Sequence, residues 1–117
     1  MILHPDDVDS YRRASEFAGI IARQFGMTLG TIEPKRRPHP GGHEGLCYQS
    51  ENRIAIVFRW RVAGCWWRNP LQLSRVLRTV CHEIAHCGPS SLPDGVAHRA
   101  LELRMVEWAR GQGYTIN

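Results

Sequence analysis

The chain has 117 residues, 15 basic and 11 acidic side chains, a formal net charge of +4, and 43% hydrophobic against 22% charged residues. That size and balance suit one compact domain, residues 1–117, with a modest core, and exclude two. No apolar run approaches the roughly 20 residues of a membrane span, so no membrane association is expected. The opening segment MILHPDDVDSYRR lacks the basic start and apolar stretch of a secretory leader, which makes a cytoplasmic setting the expectation.

Fourteen of the basic residues are arginine and Lys35 is the one lysine. Arginine suits bidentate contact with phosphate or carboxylate, but basicity of this size argues only for a weak nucleic-acid contact. The four cysteines, Cys47, Cys65, Cys81 and Cys87, form no C-x-x-C pair, which argues against a zinc ribbon. Without an export signal they read as thiols, and Cys81 and Cys87, six apart on one helix, point in different directions.

Residues 7–25 read as a helix, because Val8, Tyr11, Ala14/Ser15, Ala18, Ile21/Ala22 and Phe25 recur at helical spacing, with Gly26 as its stop. An extended piece, 27–32, follows. The stretch EPKRRPHPGGHEG, 33–45, holds three prolines and three glycines and reads as a loop. Residues 46–50 and 54–62 read as a β-hairpin joined through Ser50-Glu51-Asn52. In the longer arm Ile54, Ile56, Phe58, Trp60 and Val62 form one apolar face and Ala55, Val57, Arg59 and Arg61 the other. AGCWWRNP, 63–70, reads as a loop bearing Trp66 and Trp67.

A second helix should start near Pro70, bury Leu73, Val76/Leu77, Val80 and Ile84, and end at Gly88-Pro89. A third should run from an N-cap at Asp94 through Val96/Ala97, Ala100/Leu101, Arg104/Met105 and Trp108 to Gly111. The expected fold class is α+β: an N-terminal helix, a small sheet with a hairpin, and two C-terminal helices.

Within the second helix lies CHEIAHC, residues 81–87. Histidines four apart share a helical face one turn apart, so His82 and His86 can converge on one tetrahedral ion. They lie away from the apolar stripe, on the face of Arg75 and Thr79, so the core does not require them. Glu83 sits beside the first histidine, where it can act on a metal-bound water as general base without ligating. Catalytic zinc takes three protein ligands and keeps an open position. The metzincin pattern would need a glycine at Pro89 and a histidine at Leu92, and neither is present. His98, at the start of the third helix, is the chosen third ligand. Glu102, one turn later, and Asp94, one turn earlier, are alternatives, as ligands or as groups orienting His98.

The stretch LQLSRVLRTVCHEIAHCGPSSLPDGVAHRALELRM resembles the active-site helix and following helix of small zincin proteases, above all the SprT-like and WLM (Wss1-like) families. The resemblance spans roughly residues 45–110. It implies a minimal zincin-like core with Zn²⁺ on His82, His86 and His98, Glu83 as base, and a hairpin whose edge strand holds an extended substrate. It further implies protein or peptide substrates, including proteins bound to DNA. Leu101 stands near the place where those families often carry an aromatic residue. Tyr48, Tyr114, His43 and several arginines are candidate oxyanion donors, with packing or surface roles as the blander reading, and His43 with Cys47 has a ligand-like spacing that no second pair completes into a site.

The expected function is therefore a zinc-dependent metallopeptidase. The competing reading is a non-catalytic zinc-stabilised module that binds DNA or a protein through the basic loop 35–37 and the two tryptophans. Glu83 separates them, since a structural site is closed by four ligands and has no use for a base.

Overall fold

The computed structural model describes residues 3–35, 44–48, 51–62, 65–66, 70–87 and 95–117. A short 3-10 turn, Pro5–Asp7, leads into helix α1, Val8–Gln24. Strands β1 (Thr31–Lys35), β2 (Gly45–Tyr48) and β3 (Arg53–Val57) follow, then the two-residue strands β4 (Arg61–Val62) and β5 (Cys65–Trp66). Helices α2, Leu73–Ile84, and α3, Val96–Gly111, complete an α+β fold. No described helix is long and apolar enough to cross a membrane.

The expected helix over 7–25 forms with nearly those bounds, but its buried face is Ala14, Phe17, Ala18, Ile21 and Ala22, while Val8 is more than half exposed. Small residues on that face let α1 lie close against α2. Burying Phe17 and Ile21 contributes about 1.5–3 kcal/mol each.

The hairpin also forms: Cys47 pairs with Ile54 and Leu46 with Ala55, antiparallel, with Asn52 in the left-handed region at the turn (φ 50°). Two corrections follow from a pairing that hydropathy does not reveal. Residues 31–35 are a strand, parallel to β3, in the order β1-β3-β2, where a loop was expected from residue 33. Pro34 is tolerated because β1 is an edge strand, where a missing N–H costs no ladder bond. As the central strand, β3 is buried on both faces, so Ala55 and Val57 are as enclosed as Ile54 and Ile56. The alternation read as one apolar face is a two-sided core.

The long arm expected over 54–62 ends at Val57. The chain bends at Phe58-Arg59, the Leu71 N–H bonds the Phe58 carbonyl (2.9 Å), and the expected loop 63–70 contains β5, with Arg61 opposite Trp66. The bend sends Arg59 into the protein, where its guanidinium donates to both carboxylate oxygens of Asp7, at 2.8 and 2.9 Å. Both residues are buried.

Helix α2 is the hub, touching α1, α3, β2 and β3. Val76, Leu77, Val80 and Ile84 are buried as expected, and Leu73 packs partly against them. The helix begins three residues after Pro70 and its regular part ends at Ile84. The His86 N–H bonds the Glu83 carbonyl (3.0 Å) and Cys87 that of Ile84 (2.9 Å), a tightened last turn rather than α-helix to Gly88. In α3 the buried residues are His98, Glu102, Met105, Val106 and Ala109. The expected stripe through Val96, Ala97 and Ala100 instead faces out, Val96 being 89% exposed. Two polar side chains occupy buried helix positions because they find partners on α2, a choice that apolar periodicity alone misreads. The helix runs through Gly111, and Gly113 rather than Gly111 takes the positive φ.

Candidate metal centre

His82 comes from the last regular turn of α2, His86 from the tightened turn beyond it, and His98 from the first turn of α3. Gly95 starts α3 at φ 151°, a backbone region restricted to glycine, and this directs the helix so that His98 returns over α2. Asp94, the expected N-cap and alternative ligand, lies outside the described residues, and the Gly95 position makes no side-chain cap.

The three imidazoles meet. Their ligating atoms all lie within 4.8 Å of one another. The His82 ring stands across those of His86 and His98, at centroid distances of 5.1 and 4.6 Å, and the His86 and His98 rings stack at 3.8 Å. His98 is buried, while His82 and His86 are half-buried. Two further bonds assign ring nitrogens. His82 Nδ1–H donates to Glu102 Oε1 at 2.6 Å, which leaves Nε2 as the nitrogen it could offer to an ion. His98 Nε2–H donates to the His82 carbonyl at 2.9 Å, which leaves Nδ1 as the nitrogen it could offer to an ion. Nitrogens tetrahedrally disposed around zinc at about 2.0–2.1 Å lie about 3.4 Å apart, so small pivots of the rings close the set. The donor set fits a divalent ion of zinc type.

Glu83 is buried, 6% exposed, and lies against β2. A cleft of about 310 Å³ between β2 and α2 is bordered by Gly45, Thr79, His82 and Glu83. A larger cleft, about 730 Å³, opens on the other side of His82 between α2 and α3, and Arg78, His98 and Arg99 border it. Gly45 is the point of closest approach: a Cβ there would stand 2.7 Å from Thr79 Cγ2, 2.8 Å from Glu83 Cγ and 2.9 Å from Glu83 Oε2. Gly45→Ala is therefore expected to displace the Glu83 carboxylate while leaving the histidines in place. For the peptidase reading proposed below, a displacement near 1 Å would cost about 100-fold in rate, and parallel assays of zinc content and turnover check it: zinc should persist while turnover falls.

Glu102 is buried and uses both oxygens, Oε1 on His82 and Oε2 on the Arg78 Nε–H at 2.6 Å. Burial pushes its carboxyl up, but the hydrogen bonds from Arg78 and His82 outweigh it and hold the group below the usual carboxylate range. It thus touches His82, where the sequence suggested a ligand or a partner of His98. On the other flank Glu44 pairs with Arg75.

The cysteines stand apart from the histidine cluster as ligands. Cys47 and Cys87 are thiols with Sγ atoms 2.7 Å apart, joining β2 to the turn after α2, and Cys87 also donates to the Glu83 carbonyl (3.4 Å). Burial raises the pKa of both, and pushes that of Cys81 up to about 12, so all three are protonated at neutral pH. Cys47 has Cys87 as its partner; His43, at a ligand-like spacing from it in the sequence, lies outside the described residues. Tyr48 carries the Arg53 guanidinium over its ring at 3.9 Å, and Tyr114 packs edge-on against Phe17 at 4.8 Å, which gives both tyrosines packing roles. Lys35 ends β1, whereas Arg36, Arg37, Trp67 and the Trp66 side chain fall outside the description.

The sequence pointed to His82, Glu83, His86 and His98 through spacing. It offered no sign of Gly45, one of several glycines in its segment, nor of Arg78, whose partner lies 24 residues away. Comparison of the chain with protein-family models, with curated proteins and with solved structures gives no match.

Proposed function

We propose that this chain is a zinc-dependent peptidase of the zincin type, related to the SprT-like and WLM families, with His82, His86 and His98 as ligands and Glu83 as general base. The observation that carries the reading is the convergence of three imidazoles from two helices with a buried glutamate on the residue after the first. A structural zinc site takes four protein ligands, and among the described residues the cluster offers three.

A bound Zn²⁺ would supply a Lewis acid and lower the pKa of water to about 7. The chain's own residues do the rest. Glu83, beside the ligands and walled by Gly45, accepts the proton of the attacking water and returns it to the leaving amine. The His82 carbonyl holds the His98 ring by accepting its Nε2–H. Strand β2 is an edge of the sheet and borders the cleft with Glu83, so an extended peptide can add to it by backbone pairing and pass its carbonyl over the histidines. Proteins associated with DNA are the substrates that the family resemblance implies.

The test is zinc content and X-ray absorption on the purified chain beside His98→Ala. One zinc per chain with three nitrogen ligands and a light-atom fourth, weakened in the variant, supports an open site and calls for peptide-substrate screening. Sulfur among the ligands, or no effect of the variant, overturns the assignment.

A further inference from the structure

Glu102 is a buried carboxylate with a cation and a histidine on its two oxygens, and its two partners are Arg78 and His82, one turn apart on α2. A single side chain on α3 thus braces two successive turns of the helix that carries the metal motif. Both carboxylate oxygens of Glu102 are already engaged, Oε1 on His82 and Oε2 on Arg78, which favours a role beside the cluster over one as its ligand. We propose that Glu102 is a positioning residue: it fixes the proton of His82 on Nδ1 and aims Nε2 at the ion, while Arg78 holds the carboxylate in that orientation. The proposal rests on the peptidase reading of the site and adds a residue and a role to it.

The physical argument is one of preorganisation. A half-buried imidazole has two tautomers, and only the one protonated on Nδ1 presents a lone pair at Nε2. A carboxylate 2.6 Å from Nδ1 selects that tautomer before the metal arrives, restricts the ring, and makes the other nitrogen a stronger donor. Arg78 matters because a carboxylate held at one oxygen can rotate. With the guanidinium on Oε2, the plane of Glu102 is set, and so is the approach of Oε1 to the ring. Arg78, His82 and Glu102 border both clefts, so this chain of bonds forms the ridge between them.

The experiment uses the full chain, with Zn²⁺ alone as probe. Zinc affinity is measured by competition with a chromogenic chelator for wild type, Glu102→Ala and Glu102→Gln. The tautomer of His82 is read in the metal-free chain by ¹⁵N resonance of the imidazole. The expected results are a wild-type ring protonated on Nδ1 and an affinity loss of about 10–100-fold in Glu102→Ala. Glu102→Gln, whose carbonyl oxygen still accepts from Nδ1–H, should lose less and keep the tautomer; it also serves if the alanine variant does not fold. A role confined to bracing the helices would leave the tautomer unchanged in Glu102→Ala. Zinc-binding wild type with unaltered affinity in both variants, or with His82 protonated on Nε2, overturns the proposal alone. A wild-type chain that binds no zinc overturns the peptidase reading and the proposal with it.

Discussion

For the peptidase proposed above, replacing Glu83 by glutamine is expected to leave zinc content and thermal stability close to wild type and to lower peptide turnover by about 10²–10⁴-fold. Glutamine has nearly the shape of glutamate, so the fit against Gly45 and Thr79 is kept, and with it the packing of α2 on β2. What disappears is a carboxylate able to take a proton. The ring nitrogens of His82, His86 and His98 would be offered to a metal independently of that charge. The three measurements are elemental analysis, a melting curve by circular dichroism, and hydrolysis of whichever peptide the wild type cleaves. Undiminished hydrolysis in a clean Glu83→Gln preparation would move the base elsewhere. Loss of zinc together with activity would show that Glu83 acts on the metal site itself.

The second large effect lies far from the histidines. Asp7→Asn should destabilise the fold by about 3–5 kcal/mol, because it removes the carboxylate charge from a buried ion pair with the Arg59 guanidinium. Asp7 is 1% and Arg59 5% exposed, and their two parallel hydrogen bonds tie the start of α1 to the bend after β3. For a chain of 117 residues that corresponds to a fall in melting temperature of about 12–20 °C. The Asp9–Arg12 pair on the same helix is a control: its side chains are 57% and 62% exposed, solvent screens them, and Asp9→Asn should leave the melting curve almost unmoved. Equal shifts for the two variants would remove the special role of the buried pair.

These two sites also show how differently the two kinds of feature are encoded. Helix α1, the turn at Asn52 and the apolar stripe of α2 follow from spacing within a dozen residues, where helical or alternating periodicity and turn chemistry decide the outcome. The same local rule put His82 and His86 on one face and kept them off the core, and a short connection to α3 brought His98 within reach. Pairings across long stretches of chain followed no such rule. The parallel β1–β3 ladder joins residues 22 apart and made a strand of Glu33-Pro34-Lys35, because an edge position forgives proline. Asp7 and Arg59 stand 52 residues apart, and their union cuts short a strand that alternation alone would have carried to Val62. On α3, Glu102 turned inward against hydropathy because Arg78 and His82 waited on α2.

Local spacing therefore determined the helices, the hairpin and the histidine–glutamate set, since those depend on backbone geometry between near neighbours. Only the tertiary structure decided that β3 is central, that Gly45 walls in Glu83 and that Glu102 bonds His82. Each of these depends on which distant surfaces come to lie within 3 Å, and a one-dimensional pattern does not carry that information.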